Sequence, residues 1–133
     1  APEESADMPR PIVVTLRSGS FTDALQAILE CALPHDRSEH AALLRELQQV
    51  GPVPLTATIA LMHVHTPLVT SARIAVGWHP DGIALAGFSS PPRELAVLFN
   101  PATGSAECHL RTLAALARAA RAGTLVKSQT PVV

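Results

Sequence analysis

No Asp, Glu, Lys or Arg occurs between Val50 and Ala72, and this uncharged run divides the folds open to the chain. As a helix it would be long enough to cross a hydrocarbon core. It also holds Pro52, Pro54, Pro67, His63, His65 and four threonines, which break helical hydrogen bonding and place polar groups where lipid cannot solvate them. The run therefore reads as the buried core of a soluble domain, with no direct membrane insertion. At 133 residues the chain has room for one such core, and 47% hydrophobic against 16% charged residues excludes wholesale disorder.

Other partners are narrowed by charge and ring content. Ten Lys and Arg against eleven Asp and Glu give a formal charge of -1, without the basic excess that dense phosphate contacts on nucleic acid require. Trp78, three Phe and no Tyr leave little from which to build base-stacking platforms. Cys31 and Cys108 form no C-x-x-C pair, so a reducing, cytoplasmic setting is expected. The opening A-P-E-E-S-A-D-M-P-R-P reads as a linker over residues 1–10. A domain is expected over 11–123 and a tail over 124–133.

Within the domain, Ile12 to Leu16 is β-branched and predicts a strand ending at Ser18-Gly19-Ser20. Ser20 caps a helix whose stripe is Leu25, Ile28, Leu29 and Ala32, stopped by Pro34. A second helix starts at Asp36 or Ser38, buries Leu43, Leu44, Leu47 and Val50, and closes at Gly51-Pro52. Four strands are expected over Thr58–His65, Arg73–Trp78, Ile83–Phe88 and Glu94–Phe99, separated by Pro- and Gly-containing turns. From Ser105 to about Ala122 the spacing of Leu110, Leu113, Leu116, Ala117 and Ala120 predicts a last helix. The order implies an α/β sandwich, a sheet flanked by helices.

The six histidines carry the chemistry. His63 and His65 stand two apart in a predicted strand and so share a face. Three readings fit. The pair could ligate zinc, with His79 or His109 as a third ligand. One imidazole could accept a phosphoryl group while a second, His109 near the start of the last helix, steadies its charge beside the positive end of the helix dipole. Or these are core histidines satisfied by backbone carbonyls. His35 reads as an exposed loop residue and His40 as a helix-surface residue.

Glu46 to His63, E-L-Q-Q-V-G-P-V-P-L-T-A-T-I-A-L-M-H, resembles without gaps the segment leading to the active histidine of enzyme IIA domains. These belong to the mannitol/fructose class of the bacterial sugar phosphotransferase system, which includes the nitrogen-regulatory enzyme IIA. The register continues through His63 to Gly77 and the turn Pro80-Asp81-Gly82-Ile83. It then takes in L-A-V-L-F-N-P, ending at Pro101, and Glu107-Cys-His-Leu110, similar to the helix start that carries a second active-site histidine.

The resemblance, from Ile12 to about Ala122, implies an enzyme IIA type 2 α/β sandwich with a mixed sheet. It implies His63 as phosphoryl acceptor, His109 as its partner, an HPr-like phosphocarrier protein as donor, and no metal or organic cofactor. It also implies a cytoplasmic regulatory domain attached to or acting on a membrane transporter domain or sugar permease. The chain departs from the family before the histidine: Gly51-Pro-Val-Pro-Leu-Thr-Ala-Thr58 replaces a Gly-, Ser- and Thr-rich turn, and Met62 replaces a proline. Proline supplies no N–H to a phosphate. Thr56, Thr58 and His65 are the expected replacement phosphate-binding groups. Met62, Val64 and Leu68 are expected to form an apolar docking rim. The alternatives are a degenerate enzyme IIA fold serving as a ligand-sensing or protein-interaction domain, and metal binding through His63 and His65.

Overall fold

β1 (Ile12–Thr15) and the apolar cores of β3 (Ile59–Thr66), β4 (Arg73–Trp78) and β5 (Glu94–Pro101) are extended because their residues are β-branched or large and end at turn-forming segments. The computed structural model describes residues 9–123 and Leu125. The expected linker over 1–10 and tail over 124–133 lie almost wholly outside the described residues, although Leu125 packs at 2% exposure beneath the last helix. With a two-residue edge strand, β2 (Val53–Pro54), the strands form one mixed sheet in the order β1-β4-β5-β3-β2. β1 runs parallel to β4 and β3 parallel to β5, while β4–β5 and β2–β3 are antiparallel.

Helix α1 (Phe21–Ala32) begins where the Ser20 hydroxyl accepts from the Asp23 amide, and it buries Leu25, Ile28 and Leu29. A single 3-10 turn (Arg37–Glu39) precedes α2 (His40–Val50). Both helices cover the sheet face that carries Ala60, Met62, Val64, Leu95, Val97 and Phe99. Helix α3 (Ala106–Arg121), capped by Ser105 Oγ on the Cys108 amide at 3.1 Å, covers the other face, with Leu116 and Ala120 on Ile59, Leu61, Ala96 and Leu98. Strand period two thus sends even residues of β3 toward α1 and α2 and odd residues toward α3. The central strand β5 is buried on both faces, which is why its sequence is a continuous apolar run rather than an alternation.

Four expectations are corrected. Ile83–Phe88 is a loop, not a strand: Ile83 donates to Pro92 O and Ala84 to Gly19 O, and positive φ at Gly82 and Gly87 breaks the extended run. Its apolar residues Ile83 and Leu85 are buried, so the segment has the composition of a strand without the pairing. His40 is buried rather than on a helix surface, and its Nε2–H donates to Leu33 O at 2.8 Å. Leu110 faces solvent, since the buried stripe of α3 runs through Thr112, Ala115, Leu116 and Ala120. Met62 and Val64 point into the core beneath α1 and α2, so neither can form a docking rim.

Candidate functional site

His63 and His65 are odd residues of β3 and therefore project toward α3, whose fourth residue is His109. The His109 ring lies between the other two, with its centroid 5.2 Å from that of His63 and 5.0 Å from that of His65. The planes are tilted by 53° and 56°, so the rings do not stack. His65 is exposed, whereas His63 and His109 are half-buried. The Nδ1 atoms of both His63 and His109 are buried without a hydrogen-bond partner. Burial, and after it the positive charge that His63 and His65 would carry, hold the His109 pKa below the ordinary histidine range. At neutral pH His109 is therefore an uncharged imidazole at the amino end of a sixteen-residue helix, where the dipole favours an anion.

The other expected ligands are elsewhere. Thr56 and Thr58 hold one another, with Thr58 N donating to Thr56 Oγ1 at 3.2 Å, in the turn before β3 begins. Four strand residues from Ile59 to His63 span about 13 Å, so neither hydroxyl reaches a group on His63. Thr56 and Thr58 therefore lie apart from His63, whereas His65 lies beside His109. His79 follows β4 at that same distant end of the sheet, where Trp78 pairs with Glu94, and its Nδ1 accepts from Asp81 N. It cannot join His63 as a metal ligand. Among the described residues no group of three or more His, Cys, Asp or Glu is arranged to hold a metal ion.

The flank leading into β3 lies closer than the threonines. The pairing of β2 with β3 ends at Val53 with Leu61, two residues short of His63, and Gly51 and Pro52 precede it in the chain. The Gly51 amide is committed to Leu47 O at 3.0 Å, closing α2, and Pro52 has no N–H. This flank therefore offers no free amide at Gly51 or Pro52 to a bound oxyanion. Val50, Val53 and Leu110 are exposed on the elements that carry Gly51 and His109.

Beside the histidines a cleft of about 510 Å³ opens over the ends of β3 and β5, with His65, Asn100, Ser105 and His109 in its lining. Asn100 pairs in register with His65 and is the polar residue that sequence reasoning passed over as a turn former. Its signal was an amide closing an otherwise apolar strand, on the alternation that also carries Ala96 and Leu98.

Solved structures share this arrangement of sheet and helices. The chain is similar to the nitrogen regulatory protein IIA-Ntr from Neisseria meningitidis, with a TM-score of 0.68 and 20% identity over 97% of this chain and 91% of that one. The fold is that of the enzyme IIA proteins. The mannitol-specific cryptic phosphotransferase enzyme IIA CmtB from Escherichia coli aligns with a TM-score of 0.62 and 15% identity, over 93% of this chain and 86% of that one. No protein-family model matches the sequence, and no curated protein matches it. The enzyme IIA fold thus accounts for the α/β arrangement of the mixed sheet and its helices. No helix among the described residues is long and apolar enough to cross a membrane.

Proposed function

We propose that the domain accepts a phosphoryl group on His63 from an HPr-like phosphocarrier protein and acts as a regulatory component of a bacterial transport system. The observation that carries this reading is the packing of His109, from the start of α3, against His63 within an enzyme IIA fold. Because His63 Nδ1 is buried, Nε2 is the nitrogen open to a donor. Its lone pair attacks the donor's phosphorus, the new P–N bond forms as the donor's P–N bond breaks, and the donor nitrogen keeps the released electron pair. The His63 proton stays on Nδ1. His109 and His65, together with the dipole of α3, face the transferred oxygens.

Docking needs an apolar rim around the reacting atoms. With Met62 and Val64 buried, Leu110, 63% exposed and next to His109, together with Val50 and Val53, supplies that rim. The Gly51-Pro52 flank favours a domain that exchanges the group slowly, as a regulator can, over one that relays it at high flux.

Intact mass after incubation with phosphoenolpyruvate, enzyme I and HPr, under mildly alkaline conditions that preserve phosphohistidine, tests the reading. One added phosphoryl group that is lost in His63→Ala is the expected result. No addition while HPr in the same tube is fully charged overturns it and leaves the binding-domain alternative.

A further inference from the structure

Asn100 presents a problem that phosphoryl acceptance at His63 does not resolve. It is 3% exposed, it lines the cleft, and its Nδ2 is buried with no hydrogen-bond partner. An unsatisfied buried amide is destabilising, and an apolar side chain in its place would avoid that cost. The cleft, about 510 Å³, lies within the range of small-molecule sites. Its lining includes no Lys, Arg, Asp or Glu and does not include His63. The polar groups there include the Asn100 amide, the hydroxyls of Ser71 and Ser105, and the imidazoles of His65 and His109.

We infer that this cleft binds a small organic monocarboxylate, with the Asn100 amide and the Ser105 hydroxyl at the head of α3 holding its oxygens. The absence of a carboxylate in the lining removes repulsion against an anion. The absence of a fixed cation disfavours a dianion, which neutral donors and one helix dipole compensate poorly. A carboxylate matches two donors from separate elements, and Pro101 and Ala72 in the wall accept its short apolar tail. The χ2 torsion of Asn is broad and soft, so a small rotation turns Nδ2 toward a bound oxygen. The cleft shares His65 and His109 with the proposed phosphoryl site but does not include His63, and its test uses unphosphorylated protein, so the two readings fail separately.

The probe is propionate, titrated into ¹⁵N-labelled full chain, with propionamide and inorganic phosphate as comparisons. Saturable shifts at the Asn100 side-chain amide and at the Ser105 to His109 backbone amides are expected, without a matching response to propionamide. Loss of one hydrogen bond to a charged partner is worth roughly tenfold or more in affinity, so Asn100→Leu weakens propionate by at least that factor. Asn100→Asp, close in shape but without the amide's two N–H donors, also weakens binding, and His63→Ala, outside the lining, retains it. The inference is overturned by absence of saturation, by equal binding of propionamide, by phosphate binding more tightly than propionate, or by undiminished affinity in both Asn100 variants. Should Asn100→Leu fail to fold, the wild-type shifts and Asn100→Asp decide.

Discussion

The His63 and His109 rings meet at 5.2 Å although one stands in the middle of a strand and the other in the first turns of a helix far along the chain. Each has a buried, unpartnered Nδ1, so the pair is oriented by packing rather than by a hydrogen-bonded carboxylate or carbonyl. Replacing either ring therefore changes the electrostatics of the other without cutting a network. His109→Gln is expected to slow phosphorylation of His63 by about a hundredfold, the scale of removing one positioned stabilising group, with the fold intact by circular dichroism. A rate within a factor of two or so of wild type would remove His109 from the reaction.

The pH dependence has a definite sign. The His109 pKa is depressed in the folded protein, by burial first and by His63 and His65 next, so the unfolded chain binds this proton more readily. Stability then rises with pH across the window from the folded pKa up to the ordinary value of about 6.5, and falls as acid is added through that window. NMR titration of His109 is expected to give a midpoint below the free-histidine value. In His63→Ala that midpoint moves up, and an unmoved midpoint would contradict the coupling.

Glu94 behaves in the opposite sense. Burial alone raises its carboxyl pKa, and one oxygen is buried without a partner. The folded state holds this proton more tightly than the unfolded one, so stability is lost as pH rises from the unfolded to the folded pKa. Glu94→Gln is expected to raise the thermal midpoint at neutral pH and to change it little in acid, read by parallel melts at the two pH values.

Two core contacts carry measurable stability. Phe99, fully buried beneath α1 and α2, is expected to cost about 3–5 kcal/mol as Phe99→Ala. Arg73 reaches from β4 to the Ala32 carbonyl near the end of α1 at 2.5 Å, and Arg73→Ala is expected to cost roughly 1–2 kcal/mol through that carbonyl and the negative helix end. Urea unfolding of each variant measures both.

The rim reading has its own variant. Leu110→Asp sits on an exposed side chain, so the melting midpoint is expected to stay put while transfer from HPr slows about tenfold or more. Transfer at the wild-type rate would show that docking does not use this edge. Thr56→Ala and Thr58→Ala are expected to leave transfer unchanged, because both hydroxyls sit at the far end of β3.

What the sequence made legible was set by periodicity. Helical spacing in α1 and α3, the apolar runs of β3 and β5, and the two-residue spacing of His63 and His65 each have one dominant local cause, and each appears where that cause puts it. Burial without pairing was not separable from pairing, so Ile83 and Leu85 imitated a strand. Two-residue β2 is too short to leave a pattern. Thr56 and Thr58 are near His63 in number and far from it in space, because an extended strand turns five residues into a long lever. Asn100 stayed unrecognised because its importance comes from the neighbour opposite it, His65, and from the cover α3 lays over the strand ends.

Gly51 ends α2 ahead of the edge strand β2, while the first turns of α3 carry His109 against His63 and His65. The helix end that meets the imidazoles is thus the positive pole of α3. Charge arriving on His63 is therefore felt first by α3, the helix that covers its face of the sheet.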